Sequence, residues 1–174
     1  SGYRGIISQS FTNQHVDAIA FAIAKHLQSQ DSPSIIIGYD TRLGNDPTCS
    51  PGSYTHTLSQ RLTYEGISVS ICDSFTSTPA LSWAIKQLGY SGGIMLTASH
   101  NPASYNGIKF NGPDGAPAPL VVTEAISHTA SEVYQLPLES IHGHEFTTTQ
   151  TSITDPFVDH LIHLVQNTLN LPIQ

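Results

Sequence analysis

Apolar residues recur at helical spacing in the first part of the chain. Val16, Ile19, Ile23 and Leu27 are three or four positions apart, so they fall on one side of a helix. Thr12 precedes them and is a residue type that favours the N-cap. Further helices are predicted from Ser50-Pro51 to about Tyr64, from Thr78-Pro79 to Leu88, over 123–134 and after the cap at Asp155-Pro156.

Short apolar segments alternate with these helices and predict the strands of a sheet. They cover residues 3–7, 34–38, 66–71, 93–96 and 108–110. Strands that alternate with helices favour a parallel sheet with helices on both faces. The last strand follows Pro102 too closely for a helical crossover, so we expect it to run antiparallel. We therefore predict an α/β protein with a three-layer α/β/α fold, whose mostly parallel mixed sheet has one antiparallel strand.

The end of the chain differs from this pattern. Residues 135–152 are polar, rich in Thr, Gly and His, and show no clear period, so we interpret them as a linker or an irregular excursion. The final helix has an apolar side that has to be covered, either by this domain or by one that the chain lacks. That side is formed by Phe157, Leu161, Leu164, Val165 and Leu169.

Composition and charge exclude several classes of function. The 174 residues are 39% hydrophobic and 11% charged, which is typical of a folded globular domain. The formal net charge of -7 argues against a nucleic-acid partner, because binding a phosphate backbone needs a basic face. No apolar stretch is long enough to cross a bilayer and no basic-then-apolar leader is present in the sequence. We therefore expect a cytoplasmic protein without a membrane partner.

Cysteine and histidine give weak signals. Cys49 and Cys72 are far apart and have no C-x-x-C spacing, so we interpret them as ordinary reduced thiols. His142 and His144 form a pair that could catch a metal, but no third ligand is nearby in the sequence. A solvated loop is the preferred interpretation of that pair.

The fourth predicted strand is followed by a polar loop, 97–102, that offers several reactive groups. In open α/β sheets, ligands bind outside the carboxyl ends of the strands, so Ser99 would be presented to a substrate. His100 and Asn101 add an imidazole and an amide, and Lys109 adds a cation. This set suits a phosphate better than an acyl group, although the same residue types also form ordinary turns.

A serine hydrolase is a weaker alternative for this loop. The G-x-S-x-G elbow is missing, and a base that is the next residue to the nucleophile is badly placed for a triad-like hydrogen bond. The sequence therefore disfavours acyl transfer by Ser99 and His100.

Three motifs resemble those of one family, the α-D-phosphohexomutases. The loop T-A-S-H-N-P over 97–102, with N-G-I-K over 106–109, resembles the family's active-serine loop. The opening S-G-Y-R-G resembles its S-G-x-R-G segment, and G-Y-D-T-R over 38–42 resembles its G-x-D-x-R strand end. The motifs come in the expected order and at compatible distances, which makes the signal specific. The resemblance extends over nearly all of the chain.

This resemblance implies a role for each motif residue. Ser99 would carry a phosphoryl group, exchange it with a hexose phosphate through a hexose 1,6-bisphosphate, and give one ligand to Mg²⁺ when phosphorylated. Arg4, Lys109 and His100 would line the reacting end, with Lys109 or His100 moving the hydroxyl proton. The remaining members would shape or support the loops: Asn101 and Pro102 in the serine loop, where Asn101 would also meet phosphate, and Asp40 and Arg42 beside it.

The family's other motifs are missing from the sequence. No D-G-D-x-D-R segment supplies metal-binding aspartates, and no sugar-recognition or phosphate-clamp motif is found. We expect residues 1–135 to form the phosphoserine domain and 136–174 to be a linker and helix leading toward an absent second domain. The expected function is the first domain of a Mg²⁺-dependent mutase of glucose phosphates, with mannose possible. A free-standing phosphosugar-binding module without catalysis is the alternative.

Overall fold

The computed structural model describes residues 2–48, 52–136 and 145–169. The strands are β1 (Tyr3–Ile6), β2 (Ser34–Tyr39), β3 (Ser68–Cys72), β4 (Gly92–Leu96), β5 (Tyr105–Asn111) and β6 (Thr149–Thr151). The helices are α1 (Asn13–Leu27), α2 (Tyr54–Tyr64), α3 (Thr78–Leu88), α4 (Leu120–Tyr134) and α5 (Thr154–Leu169). Each predicted helix and strand is therefore found, with ends that differ by a few residues.

The described strands form one mixed sheet in the order β1-β5-β4-β2-β3-β6. The β2, β3, β4 and β6 strands run parallel to their neighbours in this group, whereas β5 is antiparallel to both β1 and β4. Only β5 thus runs against the other described strands, which confirms the predicted fold class. The short link from β4 into β5 is the segment that contains Ser99.

Helices cover both faces of the sheet. On one face α1 packs between α2 and α4, and on the other α3 packs against β2 and β4. Gly38 of β2 allows α3 to approach the sheet closely, because a Cβ at this position would lie only 3.2 Å from Leu81 Cδ1 of α3. The core lies between these layers and includes the buried residues Ile35, Ile36, Ile37, Leu58, Leu81, Ile85 and Ile94.

Three helix starts differ from the prediction. The N-cap of α2 is Ser53, whose Oγ accepts from His56 N at 3.1 Å, and the predicted Ser50-Pro51 cap lies outside the described residues. The N-cap of α3 is Ser77 and not Thr78, because Ser77 Oγ accepts from Ala80 N–H at 3.4 Å. Pro79 is then the second helical residue, in the first turn, where backbone N–H groups have no helical partner. The α4 helix begins at Leu120, directly after Pro119, rather than at residue 123. Its exposed first residues Leu120 and Val121 hide the helical period there.

The Thr12 prediction holds for position but not for chemistry. Thr12 is the N-cap of α1, yet its side chain makes no hydrogen bond to the helix backbone. Its Oγ1 instead contacts Nδ1 of His15 at 2.8 Å. A hydrogen bond between two side chains, rather than one to the backbone, therefore joins Thr12 to the first turn of α1.

The interpretation of 135–152 as a linker misses a strand. Thr149–Thr151 form β6, which pairs in parallel with β3 at the edge of the sheet. A three-residue strand of alternating Thr and Gln carries too little apolar signal to be recognised. The histidine pair at 142 and 144, like Cys49, lies outside the described residues.

The last helix is only partly covered by the domain. Phe157 packs against Trp83 of α3, with ring centroids 5.9 Å apart. Leu161, Leu164 and Val165 of the predicted apolar side are exposed, and the side chain of Leu169 is outside the described set. Among the described helices, none has the length and hydropathy of a bilayer-spanning segment.

Candidate active site

Ser99 lies at the carboxyl end of β4, on the segment that leads into β5. Thr97 and Ala98 before it are buried, whereas Ser99 and His100 are exposed. Ser99 adopts a left-handed backbone conformation with φ 55, which is uncommon for a residue that has a Cβ. Its N–H donates to Thr97 Oγ1 at 3.0 Å. The chain turns sharply here and leaves the Ser99 side chain at the surface.

Arg42 holds the backbone of this loop from the neighbouring strand end. Its Nη2 donates to the carbonyls of Ser99 and Asn101 at 3.0 and 2.8 Å. Its Nη1 donates to the carbonyls of Pro102 and Tyr105, both at 2.8 Å. A planar guanidinium with several fixed donors can satisfy carbonyls on two sides at once, which a point-like ammonium cannot.

Asp40 orients Arg42. One carboxylate oxygen lies 3.4 Å from Arg42 Nε and the other accepts from the Arg42 backbone N–H at 3.1 Å. The side chain of Arg42 is only 13% exposed, so this pair is screened less than a surface ion pair. Asp40 and Arg42 thus support the backbone of the serine loop, and they leave its solvent-exposed side open.

Two buried asparagines that the sequence analysis did not select complete these contacts. Asn45 and Asn106 are both fully buried, and Asn106 Nδ2 donates to Asn45 Oδ1 at 2.8 Å. Asn45 Nδ2 donates to Asp40 Oδ1 at 2.9 Å and to the Leu96 carbonyl at 3.2 Å. Asn106 belongs to the N-G-I-K segment, but no signal in the sequence singles out Asn45.

The two cations Arg4 and Lys109 lie on one face of the sheet beside the loop. Arg4 is opposite Gly107 in the β1–β5 pair, and Lys109 is two residues further along β5. A Cβ on Gly107 would lie 2.9 Å from Arg4 Cγ, so the Arg4 stem passes over this glycine. Lys109 is opposite Met95, which lies four residues before Ser99. Both side chains therefore leave the sheet on the same side, near the strand end that carries the serine.

The remaining loop residues contribute mainly through their backbone. Asn101 N–H donates to the Ala98 carbonyl at 3.1 Å, and the Pro102 carbonyl accepts from Tyr105 N–H at 2.9 Å. His100 is exposed beside Ser99, and no hydrogen bond joins these two described side chains. The geometry thus gives the serine hydrolase alternative no nucleophile–base pair.

Two further cations are held away from the loop. Arg61 of α2 is buried and paired with Asp17 of α1, with N–O distances of 2.7 and 3.0 Å. Lys25 lies 4.0 Å from Glu65 at the same pair of helices. Lys86 lies in the last turn of α3, before the start of β4, whereas Ser99 follows the other end of that strand. On this acidic chain, positive charge near Ser99 therefore comes from Arg4, Lys109 and the partly neutralised Arg42.

The described residues alone do not make a magnesium site. No group of three His, Cys, Asp or Glu side chains lies close enough to hold a metal in the described part of the chain. A phosphorylated Ser99 would offer oxygen ligands, but Mg²⁺ asks for octahedral coordination by several oxygens. The other ligands would have to come from outside these residues.

A cavity of about 250 Å³ lies elsewhere, between α1, α4 and the β1–β5 pair. Its walls are largely apolar and include Ile19, Ile23, Ile108 and Phe110. Residues 108 and 110 point to the opposite face of β5 from Lys109, because side chains alternate along a strand. An apolar cavity on that face does not suit an anionic sugar, so we place the candidate site at the exposed serine loop.

The fold and the loop define an α/β/α domain that presents a supported serine beside two cations. The family model described as "Phosphoglucomutase/phosphomannomutase, alpha/beta/alpha domain I" matches residues 1–136. The chain therefore belongs to the phosphoglucomutase/phosphomannomutase family and contains its first α/β/α domain.

Individual relatives agree with this family. The phosphoglucomutase of Staphylococcus haemolyticus is 35% identical over 159 residues, which cover 86% of this chain and 28% of the relative. The phosphoglucomutase of Staphylococcus aureus strain USA300 is 31% identical over 157 residues, or 86% of this chain and 27% of the relative. The chain thus spans little more than a quarter of the length of these relatives.

Solved structures show the same fold. A Thermus thermophilus protein assigned as a phosphomannomutase superposes with a TM-score of 0.77 at 28% identity, covering 94% of this chain and 35% of that one. The Paramecium phosphoprotein pp63/parafusin gives a TM-score of 0.75 at 22% identity, covering 94% and 34%. The second likeness concerns the fold alone.

Proposed function

We propose that this chain is the phosphoserine-bearing domain of a phosphohexomutase and that Ser99 carries the phosphoryl group. The complete protein would interconvert hexose 1-phosphate and hexose 6-phosphate through a hexose 1,6-bisphosphate. We favour glucose as the sugar, since the relatives named above are phosphoglucomutases, and mannose is the second candidate.

The conformation of Ser99 is the observation that carries this proposal. Arg42 holds the carbonyl of Ser99 and Thr97 Oγ1 holds its N–H, so the peptide planes on both sides of the serine are fixed. Phosphoryl transfer needs positioning and charge stabilisation more than covalent help from the protein. An exposed hydroxyl on a fixed backbone, with Lys109 on the neighbouring strand β5 and Arg4 on β1 beyond it, supplies both.

The proposed transfer requires only a few groups. A sugar hydroxyl oxygen attacks the phosphorus of phosphoserine, the bond between phosphorus and Ser99 Oγ breaks, and the sugar becomes a bisphosphate. The proton of the attacking sugar hydroxyl passes to His100 or Lys109 and from there to the departing Ser99 Oγ. The reverse transfer, from the Ser99 hydroxyl to the departing sugar oxygen, accompanies the return of the second phosphoryl group to Ser99 Oγ. Arg4 and Lys109 would offset the negative charge that spreads over the transferred oxygens.

Magnesium dependence is part of the proposal but not of this domain alone. When bound, Mg²⁺ would neutralise charge on the transferred phosphoryl oxygens. Phosphorylated Ser99 would provide one of its ligands. Sugar recognition and the other ligands would come from further domains, with residues 1–135 as the donor domain and 136–174 as the connection toward the next one.

The test is a mutase assay on the complete natural polypeptide with glucose 1-phosphate and Mg²⁺. Ser99→Ala should lower turnover by more than about a thousandfold, because it removes the phosphoryl acceptor. Ser104→Ala, a change at another exposed serine of the same loop, should leave turnover within about twofold of the wild type. Mass spectrometry should find a phosphoryl group on Ser99 of the active wild type.

Two outcomes would contradict the proposal. Near-normal turnover of Ser99→Ala would exclude the phosphoserine mechanism. No turnover by the wild type with glucose or mannose phosphates would favour a binding module instead.

A further inference from the structure

The buried amides of Asn45 and Asn106 have an unusual position. Both side chains are fully buried, and they join the loop after β2 to the start of β5. Asn106 Oδ1 accepts from the N–H of Gly107 at 2.8 Å, and Asn106 Nδ2 also reaches the Leu43 carbonyl at 3.4 Å. Every polar atom of the pair therefore has a partner, which is what makes a buried amide tolerable.

The pair belongs to a closed ring around the serine loop, made of hydrogen bonds and one ion pair. On one side, Asp40 Oδ1 accepts from Asn45 Nδ2 and Asn45 Oδ1 accepts from Asn106 Nδ2, at 2.9 and 2.8 Å. Asn106 then binds the Gly107 N–H, and the Gly107 carbonyl accepts from Thr97 N–H at 2.9 Å.

The ring closes through the serine itself. Thr97 Oγ1 accepts from Ser99 N–H at 3.0 Å, and the Ser99 carbonyl accepts from Arg42 Nη2 at 3.0 Å. Arg42 is joined to Asp40 by an ion pair, in which Nε lies 3.4 Å from the second carboxylate oxygen without a hydrogen bond, and by a hydrogen bond from its backbone N–H to Asp40 Oδ1 at 3.1 Å. The two peptide planes that set the backbone of Ser99 are thus held from opposite ends of one ring.

We propose that Asn45 and Asn106 are positioning residues for Ser99, and that they act through this ring to hold its left-handed backbone conformation. The effect of these residues on turnover rests on the proposed function, whereas their effect on the Ser99 backbone does not. Neither amide reaches the protein surface, so neither touches a substrate. Their loss would let Thr97 and Asp40 shift, and Ser99 would relax toward an ordinary negative φ.

Asn111 provides a matched control for the loss of a buried amide. It lies in the same strand and is 3% exposed. Its Nδ2 donates to Ser82 Oγ and to the Gly115 carbonyl, at 3.0 and 2.9 Å. Asn111→Ala therefore removes a comparable set of hydrogen bonds at the far end of β5, outside the ring.

The catalytic experiment compares these variants in the complete polypeptide. Asn106→Ala should lower kcat by about 10- to 100-fold with KM changed less than about threefold, because a displaced nucleophile affects the chemical step. Asn111→Ala should keep kcat within about twofold at a temperature where all variants are folded. The double variant Asn45→Ala/Asn106→Ala should lose no more than the larger single loss, since both residues act through one ring.

A structural experiment tests the ring without any activity. In the 174-residue chain, the through-space dipolar coupling (NOE) between the amide and α protons of Ser99 reports the sign of its φ angle by NMR, because these protons lie closer together at a positive φ than at a negative one. Asn106→Ala should move this coupling toward the value of a negative φ, and Asn111→Ala should leave it unchanged. If Asn106→Ala does not fold, Asn106→Asp replaces it, because it keeps the volume and the acceptor but loses the donor to Asn45 Oδ1.

The outcomes separate the two proposals. An unchanged Ser99 coupling in the Asn106 variants, or an equal loss of kcat in Asn111→Ala, would overturn the positioning role. Additive losses in the double variant would also contradict it. A wild type that shows no mutase turnover would instead refute the proposed function, and the coupling measurement would still decide on the ring.

Discussion

At the scale of single residues, Arg42 shows how one side chain sets the geometry of a loop. Its guanidinium donates to four carbonyls of the serine segment, and Asp40 keeps it in place. The loop has no regular secondary structure that would satisfy these carbonyls otherwise. The charge of Arg42 is therefore used within the protein rather than presented to a ligand.

Arg42→Lys tests this arrangement. One ammonium group cannot reach four carbonyls, so the partly buried carbonyls of Asn101 and Tyr105 lose a donor and the free energy of unfolding should fall by about 1–3 kcal/mol. Hydrogen exchange at the amides of Asn101 and Tyr105 should become faster, because both donate to carbonyls of the released loop, those of Ala98 and Pro102. Lys86→Arg, an exchange of the same residue types at an exposed site on α3, is the control and should change neither value. Unchanged exchange in Arg42→Lys would contradict the role given to the guanidinium.

The residues of the site differ in how far the sequence predicts them. Ser99, His100, Arg4 and Lys109 belong to motifs with chemically distinctive side chains, so they can be selected without a structure, and their roles stay predictions. Asn45 cannot be selected, because an asparagine in a polar loop is most often a surface turn residue. Its burial depends on contacts with Asn106, 61 positions away.

At the scale of elements, α5 is attached to the domain through few contacts. Phe157 and His160 of α5 lie against Trp83 of α3, with centroid distances of 5.9 and 5.7 Å. Most other apolar side chains of α5 are exposed in the described structure. The docking of this helix therefore depends strongly on the contact with Trp83.

Phe157→Ala tests this dependence through fluorescence. Trp83 is the single tryptophan of the chain, so its emission reports its surroundings without overlap. Loss of the Phe157 ring should expose the indole to water and shift its emission to longer wavelength. Val158→Ala removes an exposed apolar side chain of the same helix and should leave the emission unchanged. An equal shift in both variants would contradict the proposed attachment.

Elements were predicted well where periodicity is strong and less well where it is weak. The buried strands β2 and β4 consist largely of apolar residues, which mark them clearly. The β6 strand is exposed and polar, and its place is decided by pairing with β3. The start of α2 at Tyr54 is likewise set by a tertiary contact, because the Tyr54 N–H donates to the Gly44 carbonyl at 2.7 Å.

At the scale of the whole molecule, alkaline pH should reduce stability through Cys72. Burial raises the pKa of this thiol from 9.0 to about 11. Between these values the unfolded chain has lost the proton that the folded protein still binds, so stability falls as pH rises, by at most about 1.4 kcal/mol per pH unit. The contribution of the protonated Cys72 thiol to stability is fully present below pH 9 and is lost as the pH rises toward 11.

Denaturant unfolding of wild type and Cys72→Ala at several pH values measures this effect. Other groups titrate equally in both proteins, so the difference between their unfolding free energies isolates the thiol. The advantage of the wild type at about pH 8 should shrink by about 1–2 kcal/mol at about pH 10.5. A difference that stays constant with pH would show that Cys72 ionises alike in both states.

The long sequence separation within the ring affects when Ser99 acquires its backbone conformation during folding. Arg42 and Ser99 are 57 positions apart, and the ring also needs Asn106 from the following strand. Closing so large a loop costs chain entropy before its contacts form, so such contacts tend to appear late in folding. A nascent chain that has emerged only as far as Ser99 contains the proposed phosphoryl acceptor but not the contacts that fix its conformation. Reactivity of the serine would therefore arise with the completed β2–β4–β5 pairing, and a partly folded chain would not expose a competent phosphoryl carrier.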